Sequence, residues 1–422
     1  MNVYLRMLAD GLVANGFTVD VLTRRTSANQ TFVTTPGGAR ILFIKAGPAR
    51  PLTKEELPAI VDEFAERAIA AGPYDLVHSH YWLSGLVGER VAAASGAPHL
   101  ITMHTLAALK NELLAEGDTP EFDARVTAER TLLAEASAVI AVSQAEANAA
   151  VRLGGAERAR VRVVLPGVDT DLFRPLAQGE ARETHIRGTD RGDFRPDGAR
   201  VDANSGRPTV VVAARVQPLK GQDLAIRAIA ALPQDRRPQL ILAGDATASH
   251  AAYVAALHEL IEDSGLHSAS GDEVRAHFGA ARTPVDEPAA VGSGPEPDRD
   301  ADVLLVGPLE RGQLAETLRR ASALLIPSHS ETFGLVALEA SASGIPVIAS
   351  RVGGLPEAVG DNGILLDDRS AESWAAALDA VLAEASDAAG RARLQARALA
   401  HAAPFRWDAV AHRIGDIYRS LL

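Results

Sequence analysis

Short β-branched runs alternate with longer amphipathic stretches along this chain. In its first half the runs are TVDVLT, ARILFIK, DLVHSH, PHLITMH, AVIAVS and VRVVLPG, and helical periodicity at about 2 to 15, 55 to 71, 84 to 95, 120 to 136 and 144 to 153 separates most of them. Alternation of this kind predicts parallel sheets covered by helices on both faces. The pattern restarts after residue 207 with PTVVVAAR, QLILAGD, VLLVG, ALLIPS, PVIAS and GILLD. The expected fold class is therefore α/β, with two doubly wound, Rossmann-like domains, 1–168 and 208–402, facing a cleft. Residues 169–207 contain GEARETHIRGTDRGDFRPDGARVDANSGR, polar and aperiodic, and read as a linker enlarged by an insertion. A second aperiodic stretch, from about Ser268 to Asp302, interrupts the later domain. Residues 403–422 form a closing helix expected to cross back to the first domain, with Phe405, Trp407, Val410 and Ile414 on one stripe.

The start breaks the pattern. MNVYLRMLADGLVANG is an amphipathic helix that opens at Met1 and leads into the strand TVDVLT. A doubly wound domain begins with a central strand that delivers a glycine-rich turn to the ligand. The expectation is that this strand and its turn are missing from the sequence as given, through a misassigned start or, secondly, a truncated gene.

Composition narrows the chemistry. A chain of 422 residues, 47% hydrophobic, is long enough for two cores. Cysteine is absent, which excludes disulfides, zinc–thiolate sites and thiol nucleophiles and points to a reducing, cytoplasmic setting. No run of eighteen apolar residues occurs, so membrane insertion is not expected. A net charge of -12 argues against nucleic acid as a partner, and any anionic ligand must be met by local cations. Of 42 basic residues only four are lysines, at 45, 54, 110 and 220. Where lysine survives that bias, a compact ammonium is a candidate for a specific task.

One of these lysines falls near a strand end, where open sheets bind ligands. Arg215 ends PTVVVAAR, and Lys220 opens the next helix five residues later. A cation in the first turn of a helix opposes the macrodipole at a cost of about 0.3 to 1 kcal/mol unless an anion sits there too. A pyrophosphate would supply that anion; a solvated lysine is the plain alternative. After ALLIPS comes SHSETFGLVALEASASGIPV, with Glu331 in a loop and Glu339 roughly two turns into a helix. Such carboxylates stand on the order of 10 Å apart, too far for a glycosidase pair but suited to the two ends of a nucleotide-sugar. Gly334 and its neighbours would offer N–H groups to a diphosphate at the helix start. Spacing alone fits two glutamates on a solvated face equally well.

The strings ARVQPLKG, ETFGLVALEA and GIPVIASRVGGLPE together closely resemble the family-4 retaining glycosyltransferases. The resemblance implies GT-B architecture, a UDP-sugar donor and chemistry that requires no metal or other cofactor. It implies that Arg215 and Lys220 hold the diphosphate, that Glu331 faces the donor sugar and Glu339 the ribose, and that Leu309 meets the uracil through its main chain. Gly334 and Leu335 belong to the same donor-binding segment.

The first half carries HSHYWLSG and MHTLAALKN after strands, and LTKEELP and DTPEFDAR at helix starts. Thr53 and Glu56 have capping-box spacing, which leaves Lys54, again in a first turn, unexplained. Arg125 follows DTPE and is expected to point into the same cleft. His78 and His80 share one strand face, yet no carboxylate at ligand spacing accompanies them for a metal. A Tyr81 hydroxyl needs a polar partner if buried. His104, after a strand, reads equally as a core histidine. Together these strings resemble the members of the family that join N-acetylglucosamine from UDP-GlcNAc to 1D-myo-inositol 3-phosphate, the first step towards mycothiol. That resemblance implies that Asn2, Lys54, Tyr81, Thr105 and Arg125 hold a phosphorylated inositol, that His104 lies beside the reacting sugar, and that the enzyme is a homodimer. AGDATAS stands where those enzymes carry a glycine-rich loop, and both insertions are unlike theirs, which leaves the donor sugar open. The expected reaction retains anomeric configuration, by a front-face route in which the leaving phosphate helps take the acceptor proton. A relative with another sugar-phosphate or inositol-lipid acceptor, a GT-B UDP-sugar epimerase and a non-catalytic nucleotide-sugar binder are the competing readings.

Overall fold

The computed structural model describes residues 2–30, 32–114, 120–176, 207–247, 250–270 and 301–422. The chain divides into two compact units, one made of Met1–Leu114, Thr119–Gly167 and Pro404–Leu422, the other of Val168–Ala403. In the first unit α1 (Asn2–Ala14) leads to β1 (Asp20–Arg24), β2 (Val33–Thr34) and β3 (Arg40–Ile44). There follow α2 (Val61–Ala70), β4 (Val77–His80), α3 (Trp82–Ser95), β5 (His99–Thr102), α4 (Ala107–Glu112), α5 (Asp123–Glu135), β6 (Ala138–Ala141), α6 (Gln144–Arg152) and β7 (Val161–Val163). β5 and β6 are buried on both faces, which is why HLIT and AVIA read as unbroken apolar runs rather than alternating ones.

Among the described residues the strands of this unit form two sheets. β4-β5-β6-β7 is a parallel sheet in that order, while β1 pairs in parallel with β3, and β2 joins β3 antiparallel. Among the described residues no ladder joins β1 to β4, although Leu22 of β1 and Val77 of β4 pack into one apolar cluster with Ala65, Ala68, Val87 and Val91 of α2 and α3.

The second unit is a single parallel sheet in the order β10-β11-β9-β8-β12-β13-β14. Its elements are β8 (Thr209–Ala213), α7 (Gln222–Ala231), β9 (Gln239–Ala243), α8 (Ala251–Asp263), β10 (Ser268–Ser270), β11 (Val303–Gly307), α9 (Arg311–Arg320), β12 (Ala323–Ile326), α10 (Leu335–Ala342), β13 (Val347–Ser350), α11 (Leu355–Val359), β14 (Gly363–Leu366), α12 (Ala371–Glu384) and α13 (Ala388–Ala402). Order reverses between β8 and β12, so the loops after those two strands meet at the switch point where doubly wound sheets take ligands. The expected insertion begins later than Ser268, because Ser268–Ser270 pairs with Val303–Leu305; residues 271–300, and 177–206 of the expected linker, lie outside the described residues. The closing helix α14 (Trp407–Arg419) packs on α1 and buries Trp407, Val410, Ile414 and Tyr418.

Two local expectations are corrected. Lys54 is not in the first turn of a helix: it lies in a turn ahead of a 3-10 segment, Leu57–Ile60, and α2 starts only at Val61. Of the expected capping box, the described bond is the return one, in which Thr53 N–H donates to Glu56 Oε2 at 2.9 Å. Lys220 likewise does not open α7; it ends a 3-10 turn, Pro218–Lys220, and Gly221 is the N-cap.

Candidate active site

In the second unit the loop after β8 is tied down by Gln222 Nε2, which donates to the Arg215 carbonyl at 2.9 Å. Gly221 (φ 68) lets this loop pass the one after β12: a Cβ there would stand 2.1 Å from the Pro327 carbonyl oxygen. His329 N–H donates to the Leu219 carbonyl at 2.8 Å, closing the contact. The crossing delivers Lys220 Nζ to Glu331 Oε2, and the two side chains are only 14% and 20% exposed. Gly334 (φ 92) then caps α10, where a Cβ would meet Leu355 Cδ2 at 2.6 Å, and Leu335 opens the helix with its first-turn N–H donors. Glu339 is the fifth residue of this eight-residue helix, about one turn in rather than two.

Glu339 is buried and accepts from Arg311 Nη1 at 2.9 Å, while burial pushes its carboxyl up to about 7 against the opposing pull of Arg311. The Arg311 guanidinium also lies over the Phe173 ring, 5.0 Å from its centroid. Arg311 is a partner of this candidate site that sequence reasoning missed. It is the first residue of α9, inside the Glu310/Gln313 capping box, and a cation in a first turn is the same signal that singled out the lysines. Exposed Arg215 and half-buried Leu309 line one cavity of about 200 Å³ at the carboxyl ends of β8, β9 and β11, with Ala214, Gly244, Asp245 and Leu314. The unit thus holds two glutamates eight positions apart, each with its own cation, and a separate cavity lined from the ends of β8, β9 and β11.

The first unit gathers its candidates at the carboxyl ends of β4 and β5. Tyr81 (φ 79) and His104 (φ 62) both take the left-handed backbone region, which costs a non-glycine residue about 1 to 3 kcal/mol and marks candidate functional positions. Arg125 lies over the Tyr81 ring at 4.8 Å and donates to Thr105 Oγ1 at 3.2 Å, so Tyr81, Thr105 and Arg125 do come together. Arg125 is buried, however, and ion-paired to Glu121 at 2.9 Å and Glu129 at 2.7 Å. Lys110 completes this network by a 2.7 Å pair with Glu121. Lys54 shares no described contact with the cluster: its side chain is 74% exposed, and its described partner is Glu55 at 4.0 Å. Asn2 begins α1, and its side chain is outside the described residues.

His104 Nε2 lies 3.0 Å from His80 Nδ1, and His78 bonds Thr102 Oγ1 at 2.9 Å and the Tyr418 hydroxyl at 2.6 Å. Burial, with neighbouring histidines adding to it, lowers His78 to about 3 and His80 well below the ordinary range; burial lowers His104 to about 4. All three imidazoles are therefore neutral at pH 7. Among the described residues no three metal-ligating side chains gather, and no helix is long and apolar enough to cross a membrane.

Comparison with known proteins decides the family. Residues 1–167 match the glycosyl transferase 4-like domain, and residues 299–399 match glycosyl transferases group 1. D-inositol 3-phosphate glycosyltransferases from Nocardioides sp. and Xylanimonas cellulosilytica are 36% and 38% identical over 99% of this chain, covering 84% and 91% of their own lengths. The chain belongs to the D-inositol 3-phosphate glycosyltransferase family, among the family-4 GT-B enzymes. Sucrose-phosphate synthase from Thermosynechococcus elongatus, 27% identical, has a TM-score of 0.76 with coverage of 100% of this chain and 93% of its own. Anabaena HepE in complex with UDP-glucose, 21% identical over 90% of this chain and 86% of its own, shares the fold with a TM-score of 0.63. Membership in this family makes the protein a glycosyltransferase.

Proposed function

We propose that this family member transfers N-acetylglucosamine from UDP-GlcNAc to 1D-myo-inositol 3-phosphate with retention of anomeric configuration, releasing UDP, without a metal. The observation that carries the reading is the pair of charge partners at the carboxyl end of the second sheet, Lys220 with Glu331 and Arg311 with Glu339. An ammonium has three N–H donors, so Glu331 takes one and fixes Lys220 with two left for a diphosphate oxygen. Arg215 adds a second cation at the same strand ends, and charge developing on the leaving UDP meets groups already oriented for it. Glu339, held by Arg311, accepts from a ribose diol, and the cavity beside Leu309 takes the base.

On the acceptor side, Thr105 and Arg125 with Lys54 supply donors for the phosphate, and Tyr81 shapes the ring pocket. His104 stands beside the reacting sugar. The names of the relatives support this acceptor, and UDP-glucose bound to HepE supports a nucleotide-sugar donor. Proton NMR of the product formed from UDP-GlcNAc and 1D-myo-inositol 3-phosphate tests the proposal: an α-linked N-acetylglucosaminyl inositol phosphate is expected. A β-linked product, or free N-acetylglucosamine alone, overturns it.

A further inference from the structure

His104 is singled out by its backbone, yet nothing in a left-handed φ fixes which way the ring turns or which nitrogen carries its proton. The ring contacts do. His80 closes β4, and in the parallel register it stands opposite Thr102, two residues before His104. The chain turns at His104 with φ 62 and brings its ring back over His80, at 5.2 Å between centroids and 27° between planes. His80 is itself held, stacked at 4.2 Å on His78 and met by the edge of Tyr4 at 5.8 Å. Tyr4 also meets His104 edge-on at 5.0 Å. His78 in turn is anchored by Thr102 and Tyr418, so the stack ends on fixed groups of β5 and α14.

We propose that His80 is the positioning residue for His104: its Nδ1 fixes the tautomer and ring orientation that His104 presents to the donor sugar. Two imidazoles that are both uncharged share such a bond only if one nitrogen carries the proton and the other does not. The proton state of His104 Nε2 is therefore set by His80 Nδ1, and His104 Nδ1, the nitrogen left for the substrate, takes the complementary state. The inference rests on the reading that His104 lies beside the reacting sugar. Displacement of a reacting group by an ångström costs as much as about 100-fold, so loss of the contact is expected to act on kcat with little change in KM for UDP-GlcNAc.

The test uses His80→Phe, which keeps a flat ring without nitrogen, and His80→Asn, whose amide, settled in one orientation, presents a single donor or acceptor close to the Nδ1 position. In the wild type, 15N spectra of His104 should show one dominant tautomer. His80→Phe is expected to give a tautomer mixture and a kcat lowered roughly 10- to 100-fold, with UDP binding by calorimetry unchanged; His80→Asn should restore most of both. Wild-type kcat and an unchanged His104 spectrum in His80→Phe overturn the proposal, as does failure of His80→Asn to recover either. Should His80→Phe fail to fold, His80→Leu takes its place, with the same expected loss and the same refuting result. His104→Ala separates the two layers, since wild-type turnover in that variant sinks the placement of His104 itself rather than the role of His80.

Discussion

Lys220→Ala removes the ammonium that Glu331 holds at the switch point of the second sheet. Its consequences for stability and for catalysis separate. Both side chains of the pair are largely withdrawn from solvent, so the variant leaves a poorly solvated carboxylate without its partner, at about 1 to 3 kcal/mol of stability. Loss of a fixed donor to the leaving diphosphate should add about 2 to 4 kcal/mol to the barrier, roughly 30- to 1000-fold in kcat. Adding Glu331→Gln to Lys220→Ala removes the stranded charge. The double variant is expected to recover most of the lost stability in urea unfolding while kcat with UDP-GlcNAc stays low. UDP release, followed by a coupled assay with inositol phosphate saturating, reads the second quantity. If kcat of the double variant returned to within a few-fold of wild type, Lys220 would serve only to neutralise Glu331, and the donor-site reasoning would fail.

Lys54→Ala, at an exposed position, should raise KM for inositol 3-phosphate about tenfold or more while leaving KM for UDP-GlcNAc and any turnover of unphosphorylated inositol unchanged; equal losses for both acceptors would move the phosphate elsewhere. Glu146 is fully buried, accepts from Val142 N–H at 2.7 Å through Oε2, leaves Oε1 without a described partner, and is pushed by burial up to about 7. A carboxyl raised in the folded state binds its proton more tightly there, so stability is fullest below the unfolded value near 4.5 and declines as pH rises through about 7, by about 3 kcal/mol in all. Glu146→Gln should flatten that part of the stability profile measured by thermal or urea unfolding, and an unchanged slope would contradict the assignment. In β4, Val77 and Tyr81 direct their N–H groups to β5, so His78 and His80 direct theirs to the other edge, where no ladder is described; hydrogen exchange should be faster at His78 and His80 than at Ser79, and equal protection would mean that this edge is paired.

Most elements of both units were legible in the sequence because parallel strands buried on both faces leave runs such as HLIT and VLLVG that no surface segment resembles. That Glu331 precedes a glycine-capped helix carrying Glu339 was legible because it depends on one local strand–loop–helix unit, whereas the cations that face the two carboxylates come from other segments. The turns before α2 and α7 were not, since a 3-10 turn and a first helical turn share composition and differ only in how the following backbone closes. Nor was the division of the first unit's strands into two sheets, which depends on pairing between distant segments. Burial of Arg125 between Glu121 and Glu129 was hidden for a different reason: both carboxylates lie one helical turn away on α5 or just before it, but whether they face solvent or the core is a tertiary matter. The contact between His80 and His104 joins residues 24 positions apart and exists only because β4 and β5 are neighbours in register.

UDP release from UDP-GlcNAc across a panel of acceptors decides whether this chain moves a sugar from UDP to a phosphorylated inositol. With 1D-myo-inositol 3-phosphate the account predicts acceptor-dependent UDP release and a product heavier than the acceptor by one N-acetylhexosamine residue in mass spectrometry. It predicts little turnover with unphosphorylated inositol or with hexose phosphates. Conversion of UDP-GlcNAc into an isomer without any acceptor, or an equal rate with every phosphorylated polyol, would contradict it.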